Sequence, residues 1–104
     1  MAELQVNGFS FEVNEEGFLE RPEDWKPEFA EHVAGAHGIQ LSERHWDVIN
    51  FCRKDYGETG QAPGMRRITK VGKIPTKEIY KLFPGGPGKL SAKVAGLHKP
   101  QSCV

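Results

Sequence analysis

Cysteine is scarce in this chain, with two in 104 residues, at positions 52 and 103. That number and spacing make neither a disulfide framework nor a CxxC-type zinc site. The four histidines, at 32, 37, 45 and 98, form no ligand cluster by spacing. No Cys-His-Asn/Asp arrangement is visible, and no glycine-rich stretch fits a Walker phosphate loop. The chain therefore lacks what a self-sufficient nucleophilic enzyme needs, and no metal or cofactor is expected. No apolar run approaches the roughly 18 residues of a membrane span, so no membrane partner is expected. The opening Met1-Ala2-Glu3 is acidic and does not read as a secretory signal, which predicts a cytoplasmic protein.

The length suits one domain able to bury a core without disulfides or metal. Net charge is zero, but the charges are segregated. Residues 1–52 hold 3 Lys/Arg and 11 Asp/Glu, while residues 53–104 hold 11 Lys/Arg and 3 Asp/Glu. One half either faces an anionic partner or complements the other half of its own fold.

The N-terminus reads as a hairpin. Asn7-Gly8 is a tight-turn pair between Leu4-Gln5-Val6 and a strand from Phe9 to Val13. Phe9, Phe11 and Val13 alternate with polar residues, so one strand face is apolar. Glu15-Glu16-Gly17 makes a second turn. A first helix is predicted from Pro27 to about Ala36, stopped at Gly38. Ser42 caps a second, on which Val48, Ile49, Cys52 and Tyr56 join Trp46 in a broad apolar face ended by Gly57 and Gly60. Cys52 lies on that face and reads as a small buried hydrophobe. His45 reads as structural.

A third helix is predicted from Ala62-Pro63 to Gly72, a fourth from Thr76 to Pro84, and a last from Pro87 to Ala95, with Gly96 as a left-handed cap. The third and fourth resemble a helix-turn-helix pair dressed with Arg66, Arg67, Lys70, Lys73, Lys77 and Lys81. Arg67, Lys70 and Lys77 are the candidate phosphate contacts of a DNA-binding reading, in which nucleic acid is the partner. The alternative is an ordinary solvated basic face.

Past Gly96 runs a tail, Leu97-His98-Lys99-Pro100-Gln101-Ser102-Cys103-Val104. Chain ends are normally accessible, so Cys103 is badly placed for core packing. A thiolate there can attack bound sulfur in another protein's pocket. The bland alternative is an exposed cysteine with no role.

Several segments carry a resemblance. Leu82-Phe83-Pro84-Gly85-Gly86-Pro87-Gly88-Lys89, then Lys93-Val94-Ala95-Gly96-Leu97, then Lys99-Pro100 and the penultimate Cys103, resemble the C-terminal signature of the DsrC/TusE family. "VNEEGFL" (13–19), "LSERHWDVINF" (41–51) and "APGMRRITK" (62–70) resemble family segments too, so nearly the whole chain is covered. The resemblance implies a mainly α (α+β) fold: a small helical domain over 1–96 with an N-terminal β-hairpin, a helix-turn-helix-like pair, and a flexible arm over 97–104. It implies that Cys103 carries a persulfide or forms mixed disulfides, and that Arg66, in the family's "PxxR", lies near the arm and stabilises anionic sulfur. Apart from the resemblance, Lys99 and His98 are cations that would favour the Cys103 thiolate if the tail folds back. Members present sulfur to partners and do not themselves reduce sulfite.

This chain departs from the dissimilatory branch at Ala92, where a second cysteine stands eleven residues before the penultimate one. Alanine there precludes the arm's intramolecular disulfide and favours a single-cysteine, TusE-like carrier. His98 replaces the usual proline. The segment from Lys70 to Leu82 is short, as in the dissimilatory branch. The resulting expectation is a sulfur-relay carrier, at most a sulfurtransferase acting with others. Its partners are a sulfur-donor protein and an acceptor resembling a tRNA thiouridylase or a sulfite reductase complex. A DNA-binding regulator and a non-catalytic gamma-type reductase subunit are the rivals.

Overall fold

Asn7 and Gly8 both take the positive φ of a tight hairpin turn, 48° and 86°. They join β1 (Ala2–Val6) to β2 (Phe9–Val13) in an antiparallel ladder with Leu4 opposite Phe11. The computed structural model describes residues 2–98; Met1 and residues 99–104, with Lys99 and Cys103, lie outside the described residues. Phe11 and Val13 are buried as the alternation requires, but Phe9 is 39% exposed. It sits at the turn end of the hairpin, where the Lys26 ammonium, 4.9 Å from its ring centroid, covers it in place of the core.

Asn14 builds the second turn by accepting the amides of Glu16 and Phe18 on its side-chain oxygen. The turn returns Phe18 and Leu19 to the core, and Leu19 bridges back to Val13. A short 3-10 turn, Pro22–Asp24, leads into α1 (Pro27–Ala36), which buries Phe29, Ala30, Val33 and Ala34.

The longest element is α2 (Glu43–Thr59). Gly57 lies within it and Gly60 ends it, in left-handed conformation. A glycine inside a helix costs only about 1 kcal/mol against alanine, too little to stop one whose other face is buried. Ser42 is the N-cap, with histidine where a capping box normally has Glu or Gln. The Ser42 amide donates to His45 Nδ1 at 3.0 Å, and the Ser42 hydroxyl lies 2.8 Å from the same atom. The other ring nitrogen therefore carries the proton, which it donates to the Leu82 carbonyl at 2.8 Å. One side chain thus ties the start of α2 to the end of a later helix, and its ring meets Phe83 edge-on. His45→Ala is expected to cost about 2 kcal/mol in urea unfolding, because both connections go at once. His45→Gln should recover part of this by keeping the cap; an alanine variant as stable as the parent would refute the link.

Next come α3 (Met65–Lys70) and α4 (Thr76–Leu82). The third helix begins later than expected, because Gly64 is extended (ψ −179°) and acts as N-cap, which leaves Ala62-Pro63 outside. Phe83 precedes a proline and leaves the helical region, which ends α4. Arg44 reaches from α2 to grip both carboxylate oxygens of Glu78 on α4, at 2.7 and 2.9 Å. Last is α5 (Pro87–Val94), the centre of the fold, packed against α1, α2 and α4. Its Gly88, Ser91 and Ala92 are all buried, and such small side chains let the neighbouring helices approach closely. The expected helical domain with an N-terminal hairpin and a helix-turn-helix-like pair is what forms.

Candidate functional site

On α2, positions 45, 48, 49, 52 and 55 are all buried. They recur at helical spacing and form one stripe. Cys52 is fully buried in it. Burial, with the nearby Asp55 carboxylate adding to it and Ser91 on α5 opposing, pushes its thiol from an ordinary 9.0 up to about 12. A protonated, enclosed thiol is no nucleophile. The same shift has a consequence for stability. Between pH 9 and about 12 the unfolded chain ionises this thiol and the folded protein does not, so its contribution is full below that window and lost across it. Stability at alkaline pH should therefore fall less steeply in Cys52→Ala than in the parent. Identical slopes would place Cys52 in contact with solvent.

Asp55 continues the stripe as a charged residue with a side chain only 1% exposed. Its partner is Arg67 on α3, whose Nε approaches both carboxylate oxygens, at 2.9 and 2.7 Å. The bond to Asp55 raises the Arg67 pKa above its ordinary value. This bears on the DNA-binding reading, because the Arg67 guanidinium is committed to a buried carboxylate. Charges of that kind need a partner, and α3 supplies it.

The pair forms one wall of a groove of about 620 Å³ between the end of α2 and α3. Pro63, Met65 and Val71 give it apolar lining, and Arg66 and Lys70 add exposed cations. Arg66, the arginine of the "PxxR" segment, thus lines this groove and is exposed. Lys77 lies on α4 and does not line it. The structure brings Arg66, Arg67 and Lys70 together and leaves Lys77 apart. Among the described residues no group of His, Cys, Asp and Glu could hold a metal ion, and no helix is long and apolar enough to cross a membrane.

The tail leaves from the end of α5. There Gly96 has φ +73°, its amide bonds to the Lys93 carbonyl, and the Leu97 amide bonds to the Ala92 carbonyl, which is a Schellman cap. Leu97 is completely buried, and His98 Nε2 lies 3.0 Å from the Glu20 carbonyl oxygen. Ala92 is 1% exposed and faces the core. Cys103 and Lys99 lie outside the described residues. Sequence reasoning missed Asp55, although its place on an apolar stripe was a usable signal. It also missed Trp25 and Arg53, which bond to the end of α5 and have no local signature.

The chain matches the family described as DsrC like protein over residues 5–104. It is 47% identical, over the full length of both proteins, to the gamma subunit of dissimilatory-type sulfite reductase from Nitratidesulfovibrio vulgaris. It is 40% identical to the sulfurtransferase TusE of Buchnera aphidicola, over 91% of this chain and 90% of that protein. Among solved structures, the crystal structure of dissimilatory sulfite reductase I (DsrI) contains a chain that superposes with TM-score 0.89 and 43% identity, covering 99% of this chain and 100% of the other. DsrC of Allochromatium vinosum, solved by NMR, superposes with TM-score 0.83 and 41% identity, over 98% and 97%. The likeness runs from the hairpin through α5 and on to the last residue, and on that basis the chain belongs to the DsrC/TusE family.

Proposed function

We propose that this protein is a sulfur-relay carrier whose working group is the Cys103 thiolate. The observation that carries the reading is the enclosure of Cys52. Cys52 is sealed in the core with its thiol pushed up to about 12, so we assign the sulfur chemistry to Cys103. Relatives named as a TusE sulfurtransferase and a sulfite reductase gamma subunit support it.

In the step envisaged, the Cys103 thiolate attacks the outer sulfur of a donor protein's persulfide. The new S–S bond forms as the donor's S–S bond breaks, the donor leaves as a thiolate, and Cys103 becomes the persulfide. An acceptor enzyme's thiolate then takes that sulfur in the same way. The acceptor resembles a tRNA thiouridylase or a sulfite reductase complex, and the setting is the cytoplasm. Arg66 with Lys99 supplies positive charge for the anionic persulfide. Alanine at 92 makes this a one-cysteine carrier.

The test is intact-mass analysis of the reduced protein after exposure to a persulfide donor. One added sulfur, confined to Cys103 and absent from a normally folded Cys103→Ser variant, is expected. No gain, or a gain on Cys52, would overturn the reading.

A further inference from the structure

Among the described residues, three large apolar side chains are exposed: Phe9, Val71 and Tyr80. The Lys26 ammonium covers Phe9. Val71, at the end of α3, is 51% exposed and lies in the groove with Pro63 and Met65. A valine alone on a surface means little, but one set in a groove among cations has the character of an interface. Its place is fixed. A Cβ on the next residue, Gly72, would come within 2.6 Å of the Ile68 carbonyl oxygen and 3.2 Å of the Phe51 ring, so the end of α3 packs directly on α2. Thr59 and Gln61, which also line the groove, are tied together. The Gln61 amide donates to the Thr59 hydroxyl, which donates in turn to the Gln61 carbonyl. A site built from held segments loses little order on binding.

Three cations line this groove, Arg66, Arg67 and Lys70, against one carboxylate, Asp55. Asp55 is buried and takes only the Nε of Arg67. The two Nη nitrogens of that guanidinium have no partner among the described residues. Arg67 is therefore a guanidinium held in place with donors left over. Glu58 acts on it through space and does not line the groove. At about 620 Å³ the groove has the size of a site for a drug-sized ligand, far more than an inorganic oxyanion fills. A bare anion would also leave the apolar lining unmatched. A nucleic-acid strand would want an aromatic platform for its bases, and the exposed Tyr80 does not line the groove. Carboxylates carried on an apolar peptide match both parts of the lining.

We propose that the groove between the end of α2 and α3 is the docking site for an acidic, leucine-bearing segment of a partner protein. Its carboxylates meet Arg66, Arg67 and Lys70, and its apolar side chain packs on Val71, Pro63 and Met65. That the partner donates or accepts sulfur rests on the carrier reading. Arg66 has donors enough to serve both a docked carboxylate and the sulfur chemistry.

The probe is a fluorescein-labelled peptide in which Glu alternates with Leu, titrated into the full-length protein and followed by anisotropy and backbone amide shifts. Saturable binding is expected, with the shifted amides lying among residues 59–71. Reversing Arg66→Glu and Lys70→Glu together should weaken binding about tenfold, and so should Ser in place of Leu in the peptide. Both reversed side chains are exposed, so that variant should keep native amide spectra elsewhere. Lys81→Glu with Lys89→Glu changes the net charge equally, away from the groove, and should bind as the parent does. Equal weakening by the two double variants, indifference to Leu, shifts scattered outside the groove, or no binding would each overturn the proposal. Oligouridine shifting these amides where the peptide does not would give the groove to nucleic acid. Dimers in sedimentation that Arg66→Glu with Lys70→Glu dissolves would give it to a second copy. Either result overturns the proposal as well. Persulfide loading of the parent, read by intact mass, addresses the carrier reading separately. Loading without peptide binding removes only the docking site, and peptide binding without loading removes only the partner's part in sulfur transfer.

Discussion

Gly96→Ala is expected to destabilise the protein by about 3 kcal/mol, which for a domain of this size lowers the melting temperature by roughly 15 °C. Two costs combine. An L-residue at φ +73° meets its own carbonyl, and the new methyl meets the Trp25 ring. The ring cannot retreat without giving up its bond to Val94 and its stack on Arg53. Gly85→Ala separates the two costs. Its φ is +86°, but nothing lies within 4 Å of the position of its Cβ, so only the conformational cost of about 1 kcal/mol applies. Urea unfolding of the two variants side by side checks this. Equal losses would mean that Trp25 shifts aside cheaply.

Arg67→Met should be the most damaging substitution of an exposed residue, with a melting temperature lower by about 10 °C. The damage falls on Asp55, left charged in the core without its partner. Arg67→Met combined with Asp55→Leu should be closer to the parent than Arg67→Met alone, since an apolar replacement removes the uncompensated charge. Calorimetry of the four proteins in that cycle reads the coupling directly. Additive losses would show that Arg67 does not compensate Asp55, and would free its guanidinium for a role in the groove.

The elements set by local chemistry were legible. Asn7-Gly8 has little choice of turn, Pro27 and Ser42 start helices where they should, and Gly96 takes its left-handed cap. Errors arose where local and global effects compete. Gly57 is a poor helix residue that tertiary packing of α2 overrides, and Pro63 is a good first helical residue that an extended Gly64 leaves outside. Phe9 fits the alternation of its strand, yet the core does not extend to the turn. On the site, the short motif pointed to Arg66, and the stripe on α2 explained Cys52. The grip on α5 was not legible, because it joins residues 42 and 69 positions apart and nothing in either neighbourhood announces the other. Such contacts depend on how helices stack.

The enclosure of Cys52 also makes it a recorder. A thiol between α2 and α5 becomes reactive only while that seam is open. Under native conditions its labelling rate, relative to an unfolded chain, therefore measures the free energy of local opening. That quantity is distinct from anything Cys103 reports. Sulfur found on Cys52 in protein recovered from cells would mark molecules that had come apart in the presence of a donor. On the proposed carrier reading, the two cysteines would then keep separate histories, one of traffic and one of unfolding.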